Sequence, residues 1–214
     1  MNEISKKTSG YLLQIKAIKL EPAKPFSWAS GWKSPIYCDN RKTLSYPGVR
    51  SFIRDSFVEI IREKYPQTEV IAGVATGAIA HGVLVAQEMD VPFVYVRSGA
   101  KSHGLGNKIE GVVEKGQNVL VIEDLISTGG SSLNAVFALR EAGCNVIGML
   151  AIFTYGFALA EDNFKKAQCQ LTTLSNYNDL IDIALESGYI DKDHLETLKT
   201  WRKDPGNWTG GKNN

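Results

Sequence analysis

The stretch that most restricts how this chain can fold is Val119-Leu120-Val121-Ile122-Glu123-Asp124-Leu125-Ile126-Ser127-Thr128-Gly129-Gly130-Ser131. It opens with four apolar residues, three of them β-branched, the pattern of a strand covered on both faces. Two adjacent carboxylates follow at the strand's end, and then a turn of Ser, Thr and Gly. Leu133, Val136, Phe137 and Leu139 continue at helical spacing until Gly143. Such a turn, placed between a strand and a helix start, lets backbone N–H groups converge on a phosphate, assisted by the positive end of the helix dipole. The carboxylates cannot bind that phosphate, but they can hold the hydroxyls of a sugar attached to it. The stretch therefore describes its own ligand, a ribose 5-phosphate. A buried strand and turn of no special purpose would explain the apolar run but not two carboxylates ahead of a Gly-Gly turn.

Other phosphate motifs fail on inspection. Residues 111–116 have P-loop glycine spacing, but Gln117 and Asn118 stand where Lys and Ser/Thr are needed. Gly104-Leu105-Gly106 has Ile109 in place of the third glycine of a dinucleotide fingerprint. Residues 119–131, in contrast, resemble the phosphoribosyl-diphosphate (PRPP) signature of type I phosphoribosyltransferases along all thirteen positions. The resemblance implies a PRPP site made of Glu123, Asp124, Leu125, Ile126, Ser127, Thr128, Gly129, Gly130 and Ser131. Glu123 and Asp124 would hold the ribose hydroxyls, with Asp124 counted as catalytic. Residues 127–131 would cradle the 5′-phosphate, with Ser127 also near the base.

Two more stretches have the same strand-then-turn form. Val70-Ile71-Ala72-Gly73-Val74 precedes Ala75-Thr76-Gly77-Ala78, and a helix through Val83, Leu84 and Val85 follows. Read without the family this is a common strand–helix turn; in the family it resembles the loop that touches the diphosphate. His81 within that helix is expected to pack or cap rather than react. Pro92-Phe93-Val94-Tyr95-Val96 is a third strand, ending in the cation Arg97. Residues 98–108 are polar, Gly-rich and cationic, a composition that builds no packed core and predicts a surface loop. Arg97, Lys101 and His103 on or beside it resemble the family's catalytic loop, which closes over PRPP and reaches across a dimer interface. Lys101 and His103 are on that ground expected to be catalytic, and all three to bind PRPP. Ser98 stands where some members carry a second Lys, which removes one of their diphosphate contacts.

Residues 26–41, Phe-Ser-Trp-Ala-Ser-Gly-Trp-Lys-Ser-Pro-Ile-Tyr-Cys-Asp-Asn-Arg, are too aromatic and too charged for a plain loop. They form a surface hairpin or, by resemblance, the N-terminal hood of orotate phosphoribosyltransferases. Beside the PRPP signature the second reading selects one branch of the family, and Ser127 becomes the expected orotate contact. Some members bind the orotate carboxylate with an Arg close to the end of the strand at residues 145–153; Tyr155 stands near there.

The remaining chain is read by periodicity. Tyr11, Leu12, Ile15 and Ile18 share helical spacing within residues 5–19. Ser45 with Pro47 in the first turn is expected to start a helix whose stripe is Val49, Phe52, Ile53, Phe57, Ile60 and Ile61. Residues 158–167 are helical and 170–174 a strand. Ser175 or Asn176 would cap a helix through Leu180, Ile181, Ile183, Ala184 and Leu185. Leu195, Leu198 and Trp201 face the core from a last amphipathic segment, where His194 is a surface residue. Alternating strands and helices predict an α/β fold, a parallel sheet flanked by helices, with ligands at the carboxyl ends of the strands. With the resemblance this is the type I phosphoribosyltransferase fold carrying a small N-terminal hood. One domain is expected over residues 1–214: hood and first helix to about residue 45, core over about 46–204, and a Gly/Asn/Lys-rich tail over 205–214.

A net charge of +1 gives no electrostatic ground for a nucleic-acid or membrane partner. No apolar run reaches transmembrane length and the first ten residues are polar, so a cytoplasmic enzyme is expected. Cys38, Cys144 and Cys169 are odd in number and widely spaced, as buried thiols of a reducing compartment are. The activity implied by the resemblance is transfer of phosphoribose from PRPP to orotate, giving orotidine 5′-monophosphate and diphosphate in pyrimidine biosynthesis. The implied cofactor is Mg²⁺ carried on the substrate, with no side-chain metal site assigned, and the implied assembly is a homodimer exchanging loops. Two alternatives differ in class. A purine or uracil phosphoribosyltransferase would share the signature but not the hood. A non-enzymatic PRPP sensor would need a basic face or a helix-turn-helix, and neither is present.

Overall fold

The computed structural model describes residues 2–28, 30–97, 99 and 108–210. They fall into two compact units, Leu44–Leu174 and a second made of Met1–Thr43 with Ser175–Asn214. Along the chain the elements are α1 (Glu3–Gln14), β1 (Ile18–Leu20), β2 (Phe26–Ser27), β3 (Lys33–Ser34), β4 (Ile36–Cys38), α2 (Pro47–Lys64), β5 (Val70–Val74), α3 (Ile79–Met89), β6 (Phe93–Val96), β7 (Ile109–Glu110), β8 (Asn118–Ile126), α4 (Gly130–Glu141), β9 (Asn145–Thr154), α5 (Ala158–Lys166), β10 (Leu171–Asn176), α6 (Tyr177–Glu186) and α7 (Leu195–Lys203).

The larger unit carries a six-stranded sheet in the order β10-β9-β8-β5-β6-β7. The pairs β8/β9, β5/β8 and β5/β6 are parallel, as the alternation of strand and helix predicts, while β7 closes the edge antiparallel to β6. Alternate strand side chains point to opposite faces. Val70, Ala72, Val74, Val119, Val121, Met149 and Ala151 accordingly pack one face with Leu133, Val136 and Leu139 of α4 and Phe164 of α5. Ile71, Leu120, Ile122, Leu150 and Ile152, the alternate residues, are also fully buried. Both faces being covered is the reason these strands read as continuous apolar runs. The α2 stripe is inward at Val49, Ile53, Phe57, Ile60 and Ile61, with Phe52 only half-buried.

The other unit holds two short antiparallel pairs, β1 with β4 and β2 with β3. The indole N–H of Trp28 donates to the Ile36 carbonyl at 3.1 Å, and Trp201, fully buried, donates to the Lys33 carbonyl at 3.2 Å. Trp28 meets Trp201 edge-on at 5.6 Å, so the hood folds around a tryptophan from the far end of the sequence. Asn176 caps α6, accepting from the N–H groups of Asn178 and Asp179.

The structure revises several local expectations. Ile18 belongs to β1 rather than to a helix, because α1 ends at Gln14 and Lys16 turns the chain with φ 54°. Ser45 does not cap α2; it ends a 3₁₀ turn over Asn40–Ser45, and Tyr46 precedes Pro47 with no side-chain cap bond. Phe137 is 49% exposed and stands outside the α4 stripe. The strand over residues 119–122 runs on to Ile126, since β9 pairs with it through Leu125↔Phe153 and Ile126↔Thr154, so the acidic pair lies within the strand. Residues 175–204, continuous with the core in sequence, group with the N-terminal 43 residues.

Candidate active site

The parallel register sets three strand ends side by side. Gly73 of β5 pairs with Ile122 of β8, and Val74 of β5 pairs with Val96 of β6. Residues 75–78, Arg97 and the stretch 123–131, whose first four residues still belong to β8, therefore lie along one edge of the sheet, where open α/β sheets bind ligands. The Ala75 N–H donates to the Val96 carbonyl at 2.9 Å, and the peptide joining Ala75 to Thr76 is cis. The Asp124 carboxylate lies directly against Gly77. A Cβ on Gly77 would stand 2.5 Å from Asp124 Cγ and 2.6 Å from its Oδ1. Sequence composition marks both turns as small-residue turns; only the fold shows that the glycine of one makes room for the carboxylate of the other.

The two acidic residues differ sharply. Glu123 is 5% exposed, Asp124 half-buried. Glu123 Oε2 accepts from the Ser132 hydroxyl at 2.7 Å, and its Oε1 accepts from the Asp124 N–H at 2.9 Å. Burial, followed by the neighbouring Asp124 carboxylate, pushes the Glu123 acid up to about 8. At neutral pH Glu123 is thus held mostly as a neutral acid, hydrogen-bonded to the Asp124 side chain. Leu125 is half-buried, and the Ile126 side chain belongs to the core, so at Ile126 only the backbone is available to a ligand.

Beyond β8 the chain enters α4 through Gly129, which has φ +81° and offers no side-chain cap. The first N–H groups of a helix lack intrahelical partners, so an uncapped start leaves them for an anion. The carbonyls around the turn are held elsewhere. That of Ile126 accepts from the Tyr155 N–H at 3.1 Å, and that of Thr128 from the Asn163 side-chain amide at 3.0 Å. Ser127 and Thr128 are half-buried, Gly130 and Ser131 exposed. The arrangement suits a phosphate at residues 127–131 joined to a hydroxylated group beside Asp124.

The Arg97 N–H donates to the Lys108 carbonyl at 2.9 Å and its guanidinium pairs with Glu110 at 3.1 Å. Lys101 and His103, with Ser98, lie outside the described residues. His81 is 1% exposed on α3, and burial lowers its imidazole to about 4, consistent with a packed residue. Tyr155 is 2% exposed, stacked on Phe157 at 5.4 Å and edge-on to Phe153 at 5.8 Å, so in this conformation it is part of an aromatic cluster rather than an open carboxylate receptor. Sequence reasoning reached Gly77 only as part of a small-residue turn, and did not reach Glu110, Ser132 or Asn163, because each matters through a partner far away in the chain or across a helix turn.

Comparison with known proteins shows the family of the chain. The phosphoribosyl transferase domain model matches residues 46–187. Over 94% of its length the chain is 59% identical to the orotate phosphoribosyltransferase of Bacteroides thetaiotaomicron, covering 95% of that protein. Among solved structures, orotate phosphoribosyltransferase from Aeropyrum pernix superposes with a TM-score of 0.74 at 25% identity, over 86% of this chain and 99% of that one. The Leishmania donovani UMP synthase structure matches with a TM-score of 0.77 and 23% identity over 92% of this chain. The chain spans 42% of that longer one, and this likeness speaks for the fold alone.

Proposed function

This chain belongs to the orotate phosphoribosyltransferase family, and we propose that it transfers the 5-phosphoribosyl group of PRPP to orotate, releasing diphosphate. The observation that carries the phosphoribosyl part is the uncapped start of α4 at Gly129, five residues after an Asp124 carboxylate that lies against the Gly77 turn. The choice of orotate rests on the hood at residues 26–41 and on the relatives.

In this reading residues 127–131 bind the 5′-phosphate through backbone N–H groups, and Asp124, with Glu123 behind it, orients the ribose hydroxyls. Breaking the bond from C1′ to diphosphate builds positive charge on the ribose and negative charge on the leaving group, as in glycoside transfer. Asp124 beside the ribose favours the first. Arg97, Lys101 and His103 favour the second, since cations fixed where charge develops lower the barrier. Orotate N1 then bonds to C1′ and gives up its proton, which the departing diphosphate can accept, and no protein nucleophile is needed. Loop closure over PRPP would exclude water, which otherwise hydrolyses it.

Among the described residues no three His, Cys, Asp or Glu side chains gather as metal ligands. Mg²⁺ characteristically keeps its waters and binds through substrate phosphates plus one or two carboxylates. Asp124, near the carboxyl end of β8, and the diphosphate oxygens of PRPP fit that donor set. When bound, Mg²⁺ would neutralise charge on the leaving diphosphate. We further place the protein in the cytoplasm, as a homodimer whose residue 98–108 loop serves the neighbouring subunit; no helix among the described residues is long and apolar enough to cross a membrane.

The test is an assay of the purified protein with PRPP and Mg²⁺ against orotate, uracil, adenine and hypoxanthine. Loss of orotate absorbance that depends on PRPP is expected. Consumption of another base with orotate untouched would overturn the base assignment.

A further inference from the structure

We propose that Asn163, on α5 and outside the PRPP signature, is the positioning residue of the phosphate cradle: by holding the Thr128 carbonyl it aims the Gly129 N–H at the ligand. The inference rests on the reading of residues 127–131 as that cradle. Its geometry is that of one peptide plane. In a trans peptide the carbonyl and the following N–H point in opposite directions. The Asn163 amide donates to the Thr128 carbonyl at 3.0 Å from the α5 side. Fixing that oxygen toward α5 fixes the Gly129 N–H away from α5. It also removes the group most damaging to an anion site, because an unanchored Thr128 carbonyl could rotate its partial negative charge toward the phosphate.

One further contact from α5 reaches this turn, and two more tie α4 to the segment after α5. The Phe164 ring fills the space beside Gly129, where a Cβ would meet it at 2.8 Å. Gly129 has φ +81°, so the turn depends on glycine both for its backbone and for that close approach. At the opposite end Arg140 of α4 donates to the carbonyls of Ala167 and Gln168, at 2.6 and 3.0 Å. The helix that starts at the cradle is thereby tied at its C-terminal end to the segment that follows α5. Asn163 acts from a scaffold fixed before the ligand arrives, and a preorganised donor costs no reorganisation on binding.

The experiment compares Asn163→Ala and Asn163→Asp with the wild type, and uses Asp162→Ala, an exposed neighbour on the same helix, as control. Binding of ribose 5-phosphate and of diphosphate is measured separately by calorimetry, with kcat and the KM for PRPP alongside. One neutral hydrogen bond predicts ribose 5-phosphate binding roughly two- to tenfold weaker in Asn163→Ala. The KM for PRPP should rise by a similar factor, with kcat and diphosphate binding nearly unchanged. Asn163→Asp keeps the shape but turns an acceptor toward the carbonyl, so it should be weaker than Asn163→Ala. Wild-type behaviour in Asn163→Asp would reduce the residue to packing and overturn the proposal, as would equal weakening of both probes. If the wild type itself binds neither ribose 5-phosphate nor PRPP, the cradle reading falls, and the inference with it. If the wild type binds and Asn163→Ala binds equally well, the inference alone fails.

Discussion

Substituting Gly77 by Ala isolates the contact that joins the two turns. Gly77 is not among the glycines with positive φ, so alanine meets no backbone penalty there. The added methyl would lie 2.5 Å from Asp124 Cγ, against an ordinary contact of 3.4 Å or more, so the carboxylate must retreat by roughly 1 Å. A hydrogen bond lengthened by that much is lost. A hydrogen bond to a charged group contributes about 1.5–3 kcal/mol, and about 1.4 kcal/mol is a factor of ten. Gly77→Ala should therefore lower kcat/KM for PRPP about ten- to hundredfold while leaving the melting temperature within a few degrees of wild type. Steady-state kinetics with orotate absorbance and a thermal melt measure both. Asp124→Asn, which removes the charge at that place, should cost a similar factor. Because both act on one interaction, the double variant should be no worse than the poorer single one. Unchanged kinetics in folded Gly77→Ala would refute the reasoning, and so would a double variant showing the product of the two losses.

Lys101→Ala should lower kcat about a hundredfold with a smaller change in PRPP affinity, as for a lost group that stabilises developing charge; an effect confined to KM would make it a ground-state contact. Mixing Lys101→Ala with Asp124→Asn subunits should partly restore activity if the loop serves the neighbour, and no recovery in demonstrably exchanged dimers would place it in its own chain. Glu123 supplies a pH prediction. Its acid is raised by the fold from 4.5 to about 8, so the unfolded chain loses that proton first. The resulting stability is fully present below about pH 4.5 and is lost as pH rises through about 8. The melting temperature of Glu123→Gln, followed by calorimetry across this range, should fall less with rising pH than that of the wild type; parallel curves would show that Glu123 does not titrate with folding.

Much of the site was legible because it is made of contiguous residues. The run from Val119 to Ser131 shows strand, acids and turn in one line, and the proposed cradle would depend mostly on backbone groups that follow from that local order. The strand at Val70–Val74, the stripe of α2 and the cap at Asn176 are likewise local, set by the periods of helix and strand and by a side chain reaching its own helix. Phe137 shows the limit of such patterns, since a helical spacing cannot say how wide the covered face is; at 49% exposure it stands beyond the α4 stripe.

What the tertiary structure alone decided are the relations between distant residues. The order of the sheet places β5 beside β8, and only then do Gly77 and Asp124 meet. The β8–β9 ladder extends the strand past the acidic pair, and burial with the Ser132 hydroxyl makes Glu123 unlike Asp124, although the two are neighbours of the same chemical type. Trp201 enters the hood from the far end of the chain, and Asn163 reaches the Thr128 carbonyl from the next helix. The physical reason is the same in each case: periodicity and turn chemistry act over a few residues, whereas carboxylate ionisation and carbonyl orientation answer to whatever the fold packs against them.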